Sequence, residues 1–235
     1  MVLLKKGLVV SCQATPEEPM FGSDIMARMA IAAKQGGAVG VRVNTYNDLV
    51  AVRKAVDLPI LGLIKTPYDG FYPYITPTMK EVDKVVESGA EIVCVDATHY
   101  PRPDGNDLET FIMLIRAKYP NVEILADVST YEEGIAVSKM DVDYIATTLA
   151  GYTPETVDEN SELIQEFREP NFEIIEKLSK DTNIPIVAEG KFWDAENAIK
   201  ALKLGAHAVT IGAGITRPQI ITKKIVDEIK ENISL

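Results

Sequence analysis

An eightfold alternation constrains the fold of this chain more than any other feature. Short apolar, β-rich runs at 8–12, 40–43, 60–64, 92–95, 123–126, 144–147, 186–188 and 208–211 are separated by stretches with helical patterning. Most runs are continuously apolar rather than alternating, as expected of parallel strands covered on both faces. The helical stretches carry start and stop signals. The stretch 24–35 ends at Gly36-Gly37, and 47–56 opens on Asn47, a candidate N-cap. Thr78 stands three residues before Glu81 at the head of 78–88, a capping box, with Gly89 after its end. The stretch 107–119 stops at Pro120, and Ser129 or Thr130 can cap 131–139. The stretches 171–182, 194–204 (ending at Gly205) and 217–232 (Pro218 in its first turn) complete the series.

Strand–helix alternation eight times over predicts an α/β (β/α)8 TIM barrel forming a single domain over residues 1–235. The length suits this, since about 250 residues is typical of such barrels. The alternative, a doubly wound open sheet, usually shows a glycine-rich turn after its first strand, and Ser11-Cys12-Gln13-Ala14 lacks it.

The net charge of -11 argues against nucleic acid or an anionic membrane as a general partner, because both need a positive surface. Lys5 and Lys6 are followed by only a short apolar run, so no signal peptide is expected, and no run approaches the roughly 18 apolar residues of a membrane span. These features predict a soluble, cytoplasmic protein. Cys12 and Cys94 lie inside apolar runs and read as small core residues. No HExxH, CxxC or His–carboxylate cluster at ligand spacing occurs, so no protein metal site is expected.

The apolar runs end in polar residues. Gln13 follows the first, Arg42 and Asn44 mark the second, and Lys65, Asp96 and Asp127 end the next three. Thr147 and Thr148 end the sixth, Glu189 the seventh, and Gly212-Ala213-Gly214 the eighth. In a barrel these groups would meet at one rim, where active sites of this architecture lie. Charges at the ends of buried runs are costly unless they pair or work. Lys65 follows an apolar run, so desolvation or a nearby cation such as Arg42 would lower its pKa. A neutral Lys65 could take a proton or form a Schiff base; a structural ion pair with Asp96, Asp127 or Glu189 is the alternative. The glycine loop, with Gly190-Lys191 before it and Arg217 after it, offers backbone donors and a cation to a phosphate, and otherwise reads as a tight turn. His99 falls in a rim loop facing solvent, and His207 at the opposite end in a structural role.

Several strings together carry a family resemblance. They are Leu8-Val9-Val10-Ser11-Cys12-Gln13-Ala14, Lys65 with Tyr74-Ile75-Thr76-Pro77-Thr78, and Asp96-Ala97-Thr98 with Pro101-Arg102-Pro103. Thr147-Thr148-Leu149-Ala150-Gly151-Tyr152-Thr153, Ala188-Glu189-Gly190-Lys191 and Ile215-Thr216-Arg217-Pro218 complete the set. In this order, over nearly the whole chain, they resemble the N-acylglucosamine-6-phosphate 2-epimerases, also called N-acetylmannosamine-6-phosphate 2-epimerases. The resemblance implies a barrel of the ribulose-phosphate-binding type that interconverts N-acetylmannosamine 6-phosphate and N-acetylglucosamine 6-phosphate in sialic acid breakdown, without a cofactor. It implies Lys65 as the acid/base and Glu189 as a second catalytic group. Substrate contacts would fall on Gln13, Arg42, Asp127 and Thr147, and phosphate contacts on Gly190, Lys191, Gly212, Ala213, Gly214 and Arg217. A homodimer paired through outer helices is expected. Ala213 stands where relatives often have Ser, Thr66-Pro67 where charged residues often follow the lysine, and Val128 where Cys is frequent. Two rival readings keep the barrel: a Schiff-base aldolase or lyase, and a non-catalytic sugar-phosphate sensor.

Overall fold

The computed structural model of the chain describes residues 3–157 and 168–233. Eight parallel strands close into a barrel in sequence order. They are β1 (Gly7–Cys12), β2 (Gly40–Asn44), β3 (Ile60–Leu63), β4 (Ile92–Asp96), β5 (Glu123–Asp127), β6 (Tyr144–Ala146), β7 (Ile186–Ala188) and β8 (Ala208–Ile211). Closure comes from the pairing of β1 with β8, which sets Val9 against Thr210. Around the barrel run α1 (Ser23–Gln35), α2 (Tyr46–Ala55), α3 (Met79–Glu87), α4 (Leu108–Lys118), α5 (Tyr131–Val137), α6 (Phe172–Asp181), α7 (Ala195–Lys203), α8 (Ala213–Thr216) and α9 (Pro218–Asn232). The sequence pattern therefore yields the (β/α)8 architecture, with two local differences. Thr45, not Asn47, caps α2: its hydroxyl accepts from the Asp48 N–H at 3.3 Å, because the chain turns sharply at Thr45 with φ 70. The glycine loop after β8 is not a plain turn but winds into the short α8. Thr78 and Thr130 each form the reciprocal capping box, with Glu81 and Glu133.

Strand residues alternate between two cores. Val10, Val41, Val93, Ile124, Ile145 and Val209 face outward and pack against the helices. Val9, Leu61, Cys94, Leu125, Ala146, Val187 and Ala208 fill the barrel interior. Cys12 sits in the outer core and Cys94 inside the barrel, both buried and unbridged. The floor is sealed by the chain's N-terminal segment, where Leu4 N–H donates to Tyr144 Oη at 2.9 Å and Leu4 carbonyl accepts from His207 Nε2 at 2.7 Å. His207 thus has the structural role expected of it. No helix among the described residues is long and apolar enough to cross a membrane.

The same alternation, followed one step further toward the carboxyl ends of the strands, replaces apolar side chains by polar ones. Cys94 is succeeded on the inward face by Asp96, Leu125 by Asp127, Ala146 by Thr148, Val187 by Glu189 and Ala208 by Thr210. A polar layer therefore caps an apolar plug, at the end of the barrel where the βα loops gather.

Candidate active site

A cavity of about 210 Å3 opens over this layer. Of the residues expected at the site, Gln13, Lys65, Glu189, Gly190, Lys191, Gly212, Ala213 and Arg217 line it. Gly214, Arg42, Asp127 and Thr147 do not, and the last three are buried one layer below its surface.

Arg42 is the hinge of that lower layer. Its Nη1 and Nη2 donate to the two carboxylate oxygens of Asp127 at 2.9 and 2.7 Å, a bidentate pair with both partners buried. Nη1 also donates to Glu189 Oε2 at 2.9 Å and to Thr148 Oγ1 at 3.3 Å. Burial opposes the guanidinium charge, but Asp127 and Glu189 outweigh it and hold its pKa well above the ordinary value. A charge buried this deeply is tolerable only with such pairing. The Asp127 carboxylate, also bonded by the Thr148 hydroxyl, is buried below the cavity. Thr147 is likewise committed: its hydroxyl donates to the Glu189 carbonyl at 2.9 Å and accepts from the Glu189 N–H at 3.1 Å, fixing the backbone that presents Glu189.

Glu189 reaches the cavity with a side chain 13% exposed. Burial and the Asp127 charge raise its pKa above the usual carboxylate value, although Arg42 pulls the other way. Thr210 lies beside it, its hydroxyl buried without a well-formed hydrogen bond. Thr148 and Thr210 both line the cavity; the run ends offered Thr147 and Thr148 alike, and the family resemblance pointed to Thr147. The period of two along each strand is the signal that separates them.

Lys65 occupies the opposite wall. It sits just past β3, where the loop folds back so that Lys65 and Ile75 form an antiparallel bridge. Thr66 N–H donates to the Tyr74 carbonyl and Thr76 N–H to the Ile64 carbonyl, each at 2.9 Å. Lys65 N–H also donates to Asn44 Oδ1 at 2.9 Å, so its backbone is held from two sides. Its amine, by contrast, makes no hydrogen bond or ion pair with a described residue, so the structural ion-pair reading does not hold. Loss of solvation, with Arg42 next and Glu189 opposing, lowers its pKa to about 8. The side chain is open to the cavity, so water there screens part of this effect, and a ligand that displaces the water strengthens it.

The last two strands make the third wall. Gly190 has φ 104, and Lys191 has φ 66, a conformation that costs energy for a side-chain-bearing residue. Gly214 packs so closely that a Cβ there would meet the Trp193 carbonyl oxygen at 2.5 Å, which makes its role steric. Arg217 is anchored by a residue the strings did not flag. Glu18, in the loop after β1, accepts from Arg217 Nε at 2.8 Å and from Gln219 Nε2 at 3.0 Å. Arg102, part of the Pro-Arg-Pro string, is not at the site. It is buried, donating to the Pro77, Asp96 and Thr76 carbonyls, with its guanidinium 3.9 Å over Phe111. His99 is exposed, as expected, and its Nδ1 bonds Glu133 at 2.8 Å.

The pattern of the family described as NanE, "Putative N-acetylmannosamine-6-phosphate epimerase", matches residues 26–231. This chain belongs to that family. A family member from Caldanaerobacter subterraneus subsp. tengcongensis, named "Putative N-acetylmannosamine-6-phosphate 2-epimerase", is 50% identical over 97% of this chain and 93% of its own. One from Staphylococcus haemolyticus, under the same name, is 43% identical over 97% of this chain and all of its own length. Among solved structures, the N-acetylmannosamine-6-phosphate 2-epimerase from Clostridium perfringens superposes with a TM-score of 0.88 at 43% identity, covering 96% of this chain and 94% of that one. A thiamine phosphate pyrophosphorylase from Pyrococcus furiosus shares the fold alone, with a TM-score of 0.58 at 19% identity.

Proposed function

We propose that this chain is a 2-epimerase that interconverts N-acetylmannosamine 6-phosphate and N-acetylglucosamine 6-phosphate by removing and returning the proton on C2. One observation carries the reading: an unpaired amine of lowered pKa faces the same cavity as a carboxyl of raised pKa. Such a pair suits abstraction of a proton α to a carbonyl. The sugar first opens to its aldehyde, with Glu189 moving the proton on O1. Neutral Lys65 then takes the C2 proton, and the electrons of that C–H bond enter a C1–C2 double bond as charge builds on O1. The proton returns to the opposite face of C2, either from Lys65 after the C1–C2 fragment turns over in the site or through a partner group to which Lys65 passes it, and the ring closes. Electrons and protons balance with no net redox change.

The 6-phosphate is held by Gly190, Lys191, the Gly212-Ala213 backbone and Arg217. Gly212 and Ala213, at the head of α8, line the cavity, and the first N–H groups of a helix have no intrahelical acceptor. Binding energy from this remote group fixes C2 near Lys65. Gln13 serves the acetamido group: its Nε2 is bound to Ser11 Oγ at 2.9 Å, while its carbonyl oxygen is buried without a partner and accepts the acetamido N–H once the amide turns toward the cavity. Arg42, Asp127 and Thr147 support these groups from below. The whole of 1–235 acts as one catalytic domain in the cytoplasm, where a charged sugar phosphate is retained. The active species is a homodimer, in keeping with α9, whose described residues include none that is buried.

Proton NMR of N-acetylmannosamine 6-phosphate in D2O tests the reading. Conversion to the gluco epimer with deuterium appearing at C2 is expected. Failure of the wild-type protein to exchange or convert would overturn it, and a covalent adduct trapped by borohydride would move Lys65 to Schiff-base chemistry.

A further inference from the structure

We propose that the phenol of Tyr74 is a catalytic residue of this site, donating a hydrogen bond to the substrate oxygen on which charge develops when Lys65 removes the C2 proton. The inference rests on the reading of Lys65 as the base. Arg42 is the cation nearest to hand, but Nη1 and Nη2 are spent on Asp127, Glu189 and Thr148, and its Nε is buried beneath the floor without a partner. The Thr148 hydroxyl is given to Asp127, the Thr216 hydroxyl to the Ser11 carbonyl at 2.7 Å, and the Thr210 hydroxyl is buried beside Glu189. Gln13 Nε2 is bound to Ser11 Oγ, and Arg217 to Glu18. Tyr74 also lines the cavity, and its hydroxyl makes no hydrogen bond with a described residue. An unengaged donor in a site where charge builds is what transition-state stabilisation requires, since it costs no rearrangement at the moment of reaction.

The placement is equally specific. Tyr74 precedes Ile75, which bridges Lys65, and its carbonyl accepts from the residue after Lys65. Its own N–H is pinned to Asp96 Oδ2 at 3.3 Å. The base and the phenol thus ride on the two limbs of one small hairpin, and neither can shift without the other. The side chain packs on the barrel's interior core and lines the cavity, so a phenol there can reach a bound substrate. Burial and the neighbouring Asp96 charge push the phenol pKa well up, so it stays a donor across the working range.

Tyr74→Phe in the full chain tests this, with interconversion and C2 deuterium uptake followed by NMR. A kcat loss on the order of 100-fold is expected, with KM within about threefold of wild type, because the bond strengthens only in the transition state. The variant's rate still rises with pH through about 8, since Lys65 is untouched. A thermal melt matching wild type guards against misfolding. A kcat within about twofold of wild type, or an effect confined to KM, overturns the proposal. The wild-type control separates the two claims: exchange by wild type with an unimpaired Tyr74→Phe sinks the Tyr74 assignment alone, whereas no exchange by wild type sinks the epimerase reading itself.

Discussion

At the scale of single residues, the site turns on which polar groups are engaged and which are left open. Lys65 is left open, and loss of solvation, with Arg42 beside it, brings its pKa down from the ordinary 10.5 to about 8. The sign of the consequence is fixed. A base works only when deprotonated, so kcat/KM is expected to rise with pH, tenfold per unit below about 8, and to level off above it. A pH–rate profile in which activity falls over this range would contradict the assignment. Lys65→Arg keeps the charge but cannot shed its proton, and its C2 exchange should drop to background. Lys65 and Glu189 could be singled out from sequence because each is a charge at the end of an apolar run, where burial makes charge expensive. Which of two adjacent threonines faces inward could not be read from run ends alone: it depends on strand phase, and phase places Thr148 beside Asp127 and leaves Thr147 to clamp the Glu189 backbone. Glu18 gave no signal at all, being an acid in a polar loop whose meaning comes from meeting Arg217 across the whole chain.

At the scale of elements, the strands and helices were legible because continuous apolar runs, caps and glycine stops agree with one another. The loops were not, since their conformation is set by contacts distant in sequence. The segment 66–77 shows this. It returns on Lys65 through the Ile75 bridge, and its far end is held by Arg102 from the loop after β4. The Pro-Arg-Pro string looks like a rim feature, yet Arg102 is buried and ties together three carbonyls at 2.6 to 3.3 Å while stacking on Phe111. Burial lowers its pKa to about 10, so it is still charged at neutral pH. Lysine has no planar fork to serve three acceptors at once. Arg102→Lys should therefore strand at least one buried carbonyl, at about 2–3 kcal/mol, and for a chain of this length that lowers Tm by roughly 5–10 °C. Because the same loop carries Tyr74, kcat should fall along with Tm. An unchanged melt by calorimetry would show that the fork holds nothing.

At the scale of the whole molecule, seven helices of the barrel repeat bury a face and the last does not. Helices α1 to α7 each bury at least one residue against the barrel or a neighbour, whereas α9 runs fifteen residues with none. Its sequence is not that of a solvated helix: Ile225, Val226 and Ile229 are exposed, and α7 adds Ile199 and Leu202. An amphipathic helix with an open apolar face gains nothing from folding onto solvent, because helical stability in proteins comes mainly from packing that face. A second copy of the chain would supply the missing partner, and symmetric pairing is the commonest way a soluble enzyme covers such a patch. Wild-type protein should therefore sediment at twice the chain mass at micromolar concentration. The double variant Ile225→Asp, Ile229→Asp places two charges on the open face. It should sediment as a monomer with its barrel intact by circular dichroism, since neither residue is buried within the chain. A wild-type monomer at that concentration would mean that the face is covered by something other than this chain, and the apolar residues of α7 and α9 would then have to be read as a surface for a different partner.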